Sequence, residues 1–286
     1  MDDKYTHSPV YLFLKMSSSV RIAEALIVIK VLVQRRYPLT ASSIPFTRLK
    51  IPSHLRLVGL HLLPGALMMA TLLLIGPLAE GAGFPPLLVG FGVAGLLVTT
   101  GFQLGYLLYQ GQKMNGRLSL QGVVLYREQM PWWQYLALAL PIFAWLAFVW
   151  FALKPPVNRF FIANFFSWMP GFFFDDYLLT NLHKYTPSTL LAAGILFTVS
   201  ISVGGAVEEL YFRGYLLPRS TSLGKWAPAV NVLLFSLYHF WSPWENVVRL
   251  LALTPFITIV WWKRNVYLAV LVHFTISLLA LILRAA

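Results

Sequence analysis

The sequence predicts an all-α, polytopic transmembrane helical bundle of about seven to eight spans. Three observations carry this. Of 286 residues, 58% are hydrophobic and 11% charged, against roughly 25% charged in an average soluble domain. Mean hydropathy is +0.69. Several apolar runs reach the roughly 20 residues that cross a bilayer as a helix, and a helix satisfies its own backbone hydrogen bonds where water is absent.

The elements follow in order. Residues 1–56 read as an N-terminal cytoplasmic or interfacial segment. Its opening carries Asp2, Asp3, Lys4 and Lys15 without a clean apolar core, so no cleavable signal peptide is expected. The stretch 20–33 is apolar but interrupted by Arg21, Glu24 and Lys30. It fits an interfacial helix, or a short span whose charges snorkel. The Pro-rich stretch 37–52 is a connector. Spans are then expected at about 57–78, 87–109, 132–153, 189–217, 226–241, 247–262 and 266–283. Together they make one transmembrane helical domain, 57–286.

Charge sets orientation and partners. With the N-terminus in the cytoplasm, 17 of the 22 Lys and Arg residues fall on the cytoplasmic side, as the positive-inside rule requires. The net charge of +12 flanks apolar runs, which favours anionic lipid over nucleic acid as the partner. With no cysteine, thiolate zinc sites, disulfides and a Cys nucleophile are excluded.

Against this background one feature stands out. Residues 190–207 carry no charge, and then come Glu208 and Glu209, with Arg213 close behind. An ionisable group at membrane depth is costly and points to function. Glu209 and Arg213 are four apart and can pair on one helix face. Glu208 is rotated about 100° from its neighbour, so the two carboxylates can have different tasks: Glu209 structural, Glu208 a general base. Gly204 and Gly205 just upstream allow close approach of another helix or a ligand. Two later spans supply His239 and His273, with Ser277 one turn beyond His273. Each histidine alone reads most simply as an interhelical hydrogen-bonding group. Two of them with a Glu pair in one small bundle suggest a shared polar pocket.

These residues resemble a known family. Glu208-Glu209-Leu-Tyr-Phe-Arg213 matches the EExxxR signature of the CAAX protease and bacteriocin-processing (CPBP, or Abi) family of intramembrane proteases. Phe235-Ser-Leu-Tyr-His239 matches its FxxxH motif, and His273-Phe-Thr-Ile-Ser277 is similar to its HxxxN/D motif. The resemblance covers about 187–286. It implies an intramembrane endopeptidase in which Glu208 activates water, His239 assists, and His273 stabilises the oxyanion. It also implies that Glu209 with Arg213 holds the site together. Ser277 departs from the family's usual Asn or Asp. Its shorter hydroxyl weakens the case for oxyanion stabilisation from that position. Implied substrates are membrane-anchored or lipidated proteins or peptides, and the implied setting is a prokaryotic plasma membrane.

No cofactor is expected. Glu208, Glu209, His239 and His273 could in principle surround zinc through O and N ligands. No HExxH helix is present, and the resemblance favours a metal-free mechanism. A catalytically silent scaffold or immunity protein is the alternative from another class. A proton-coupled transporter is a third reading, disfavoured by the absence of inverted repeats. Elsewhere, Phe160, Phe161, Trp168 and Phe172 to Phe174 are expected to form an interfacial aromatic connector. Arg249 is expected to snorkel or to pair with Glu245.

Overall fold

The computed structural model describes residues 53–174 and 181–283. Among them the chain forms seven long helices. They are α1 (His54–Gly81), α2 (Pro86–Asn115), α3 (Trp132–Phe166), α4 (Pro187–Arg219), α5 (Ala227–Tyr238), α6 (Asn246–Lys263) and α7 (Val266–Leu283). Each of the seven spans expected from the sequence is a helix. The eighth candidate, 20–33, lies outside the described residues. So do Arg35 and Arg36, expected to touch anionic lipid, and Asp175 and Asp176, expected as a solvated pair.

Helices α1 to α4 are each long and apolar enough to cross a membrane, and α7 contributes a shorter apolar helix over Val266–Ser277. Helix α5, with 12 residues, reaches only about 18 Å at 1.5 Å per residue. It ends inside the bundle, and its last turn belongs to the polar centre described below.

Local signals start and stop these helices. Ser53 caps α1, its hydroxyl accepting from the Arg56 amide at 3.1 Å, and Thr186 caps α4 by accepting from the Thr189 amide at 3.2 Å. Such caps satisfy amides that have no partner within the helix. Asn265 does the same for α7, accepting from the Leu268 amide at 2.8 Å. Helix α2 stops where Gly116 turns left-handed at φ +66°, a conformation glycine adopts without steric cost.

Helices α2 and α4 run parallel in close register. Leu196 packs on Gly92, Ser200 on Gly95, and Thr99 on Gly204. The Ser200 hydroxyl donates to the Gly92 carbonyl at 2.8 Å. Further along, Tyr106 meets Tyr211 edge to face, with ring centroids 6.0 Å apart. Small residues at these levels let the backbones approach, as in other membrane helix pairs. Both partners contain a π-helical stretch, Gly95–Leu104 in α2 and Glu209–Leu216 in α4. Such stretches occur often at functional sites.

Helix α1 crosses the end of α5. A Cβ on Gly65 would strike the Tyr238 carbonyl oxygen, so only glycine fits there. His61 completes this contact. Its Nδ1–H donates to the Leu57 carbonyl at 2.9 Å, and its Nε2 accepts from Asn231 of α5 at 3.1 Å. Asn231 also donates to the Phe212 carbonyl at 3.1 Å. One buried chain thus ties α1, α5 and α4 together.

The aromatic connector is corrected. Phe160 and Phe161 lie within α3, which continues past Pro155 and Pro156 because both fall at the opening of a new helical segment, where proline is tolerated. Phe172 and Phe173 are buried against Met68, Leu72, Ala94 and Val98, where the bundle gives their rings a drier environment than the interface. Of the residues named, Phe160 and Trp168 are left exposed, at 57% and 74%. Arg249 does not snorkel. It is buried and pairs with Glu245 at 2.7 Å, while Lys154 of α3 approaches the same carboxylate at 2.9 Å.

Candidate active site

Helix α4 carries the two carboxylates, and its geometry separates them. Gly204, one turn before Glu208, packs on Thr99 of α2, and Gly205, one turn before Glu209, packs on His273 of α7. A Cβ on Gly205 would come 3.2 Å from Nε2 of His273, which shows how close α7 passes.

Glu209 is sealed, with 1% of its surface exposed, and Arg213 is fully buried. The Arg213 guanidinium donates to Oε1 of Glu209 at 3.0 Å, and His273 approaches the same oxygen through Nδ1 at 2.8 Å. On its other side the guanidinium lies 3.9 Å over the Phe235 ring, a contact worth about 2 kcal/mol when desolvated. Arg213 therefore bridges the EExxxR and FxxxH segments.

Glu208 takes a different partner. Tyr238 donates its hydroxyl proton to Oε1 of Glu208 at 2.8 Å. Tyr238 is fully buried, between Phe212 at 5.1 Å and Phe235 at 5.7 Å. Sequence reasoning passed over this residue. Its place beside His239 in the FxxxH segment was the available signal.

His239 does not lie within a helix. Helix α5 ends at Tyr238, and His239 is the capping residue at φ −81°, ψ 61°. A turn follows, closed by the Ser242 amide on the His239 carbonyl at 3.1 Å, before Pro243. The sequence placed this span's end near Trp241; termination comes earlier because the imidazole takes over a carbonyl the helix leaves unpaired. Nδ1 lies 2.8 Å from the Phe235 carbonyl oxygen. A carbonyl only accepts, so Nδ1 carries the proton, and in the neutral ring Nε2 is left as an acceptor. Phe235 and Trp241 each hold the ring with centroids 4.8 Å apart.

The structure thus brings together Glu208, His239 and His273 from three different elements, each partly exposed. The ion pair behind them is sealed. Tyr238, which bonds Glu208, packs its ring 4.9 Å from that of His239, and His273 bonds the neighbouring Glu209. Ser277 lies one turn beyond His273 on α7, partly buried. Among the described residues, no three His, Cys, Asp or Glu side chains are grouped so as to hold a metal ion.

Fold and site together define an integral membrane protein with a carboxylate and imidazole centre inside its helical bundle. Residues 189–279 match the model of a family described as Rce1-like, the type II CAAX prenyl endopeptidase Rce1-like family. The matched segment contains the whole of all three motifs and agrees with the CPBP resemblance read from them. It supports, at the level of class, a CAAX-type intramembrane protease, a hydrolase. No curated protein and no solved structure matches the chain.

Proposed function

We propose that the protein is an intramembrane endopeptidase that hydrolyses a peptide bond in a membrane-associated protein or peptide. The observation that carries this reading is the division of labour between the adjacent carboxylates. Glu209 is committed to Arg213 and His273. Glu208 is held by one tyrosine hydroxyl at the accessible edge.

In this reading Glu208 takes a proton from water, and the hydroxide attacks the scissile carbonyl. Nε2 of His239 accepts the water's other hydrogen and so fixes its orientation. A positioned acid–base group of this kind is worth about 10²–10⁴-fold in rate. His273 donates from Nε2 to the oxyanion when its ring carries both protons, the form that pairs with the Glu209 carboxylate at Nδ1. Such a donor contributes about 2.7–4 kcal/mol. The proton held on Glu208 then passes to the leaving amine, which restores the carboxylate. The chain's own groups suffice for each step without a metal. Ser277, one turn beyond His273, stands on the same face to support the substrate carbonyl.

Proposed substrates are membrane-anchored or lipidated chains, which reach a centre at this depth from the bilayer. With the N-terminus in the cytoplasm, the centre lies in the cytoplasmic half of a prokaryotic plasma membrane, with anionic lipid around the basic loops. A silent scaffold is the second reading, favoured by Ser277 at a position where the family usually has Asn or Asp.

The test is cleavage of a quenched farnesylated peptide ending in a CAAX sequence, beside its unprenylated form, by purified protein in liposomes. Trapping of uncut membrane-anchored peptides by Glu208→Gln, read by mass spectrometry, widens the search. Loss of cleavage in folded Glu208→Gln and His239→Ala supports the protease. Absence of cleavage by the folded wild-type protein, with a cellular function that survives in both variants, would establish the scaffold.

A further inference from the structure

Gln103 is a fully buried residue of α2, within its π-helical stretch. It lies beside Tyr238, close enough for their side chains to interact. Its amide N–H approaches the Tyr238 oxygen, yet neither amide atom meets a protein partner at full hydrogen-bonding geometry among the described residues. A buried polar group left without a partner costs about 1–3 kcal/mol, and the great majority of such groups are satisfied by protein or water. Gln103 has two such atoms.

The helix register says what this amide faces. Gly95 meets Ser200, Thr99 meets Gly204, and Tyr106 meets Tyr211, each at an offset of 105 residues. The same offset puts Gln103 level with Glu208. Gln103 lies one turn beyond Thr99 on α2, as Glu208 lies one turn beyond Gly204 on α4. Tyr238 of α5, beside Gln103, directs its hydroxyl proton to Glu208.

We infer that the Gln103 carboxamide holds a buried water against Glu208, and that this is the hydrolytic water of the proposed endopeptidase. A buried water makes about three hydrogen bonds. Here the Glu208 carboxylate accepts one hydrogen, Nε2 of His239 accepts the other, and an amide N–H of Gln103 donates to the water oxygen. The arrangement places a neutral dipole where a second carboxylate would repel Glu208. No bond is made or broken at Gln103; it is a positioning residue that acts through the water. The inference rests on the protease reading for the water's role, but not for its presence.

Two measurements test it. The first is a crystal structure of the wild-type protein at water-resolving resolution. The expected result is a water within hydrogen-bonding distance of both Gln103 and Glu208, lost in Gln103→Leu. An amide bonded instead to protein, or a dry contact, overturns the inference whatever the enzyme's activity. The second is turnover of the farnesylated peptide. Gln103→Leu should lower kcat by about tenfold or more with KM little changed, and Gln103→Asn should fall between it and wild type. Thermal melting of each variant separates loss of fold from loss of positioning. If Glu208→Gln is inactive while Gln103→Leu keeps full kcat, the inference fails and the protease reading stands. If Glu208→Gln keeps full turnover, the glutamate-activated mechanism itself fails, and if the wild-type protein cleaves nothing, the protease reading fails.

Discussion

The Tyr238 hydroxyl donates to Glu208 at 2.8 Å across the junction of α5 and α4. It joins the residue before the FxxxH histidine to the first glutamate of EExxxR. Hydrogen bonds to charged groups contribute about 1.5–3 kcal/mol. Tyr238→Phe keeps the ring and its aromatic neighbours. It should lower the melting temperature by several degrees and lower kcat by about 10- to 100-fold. Peptide turnover beside a melting curve checks this.

The two glutamates should behave differently. Glu208→Gln should abolish cleavage and leave the protein folded, since Glu208 bonds one hydroxyl at the accessible edge. Arg213→Ala leaves the Glu209 carboxylate buried with only His273 beside it and removes the guanidinium from the Phe235 face. Removing one partner of a buried pair costs about 3–5 kcal/mol. Thermal unfolding in detergent should show a large fall for Arg213→Ala and a small one for Glu208→Gln.

His239 caps α5 through Nδ1 and offers Nε2 to the site. His239→Asn places an amide N–H near the Phe235 carbonyl but has no counterpart of Nε2. We expect it to melt closer to wild type than His239→Ala does and to be as inactive as His239→Ala. Recovery of activity in His239→Asn would show that the capping bond alone is what the reaction needs.

Gly65 and Gly204 carry the close helix approaches. Gly204→Ala would bring a Cβ to 2.9 Å from the Thr99 hydroxyl and push α2 from α4. Gly65→Ala meets backbone at Tyr238, which cannot rotate away. Overpacking of this kind costs about 1–3 kcal/mol. Gly65→Ala should be the more destabilising of the two, and it should also lower turnover, because the displaced atom belongs to Tyr238. Melting temperatures and rates of the two variants give the comparison.

Much was determined by the sequence alone. The solvent, the seven helices and the location of the acidic pair follow from apolar run length and from the cost of charge in hydrocarbon, which are local quantities. The 100° rotation between Glu208 and Glu209 follows from helix geometry, and in the structure the two carboxylates take different partners. Tertiary structure decided what required knowing which helix faces which. Tyr238 and Gln103 read as ordinary members of apolar runs until α5 is laid against α4 and α2 beside it. His61 looked isolated because its partner Asn231 is 170 residues away. The early end of α5 was hidden because a histidine cap acts on a carbonyl, which has no sequence signature. Phe172 and Phe173 were assigned to the interface by composition, and the packing of α1 on α2 drew them inside. Hydrophobicity is additive along the chain and can be read there, whereas a hydrogen bond needs two ends brought together, and only the fold does that.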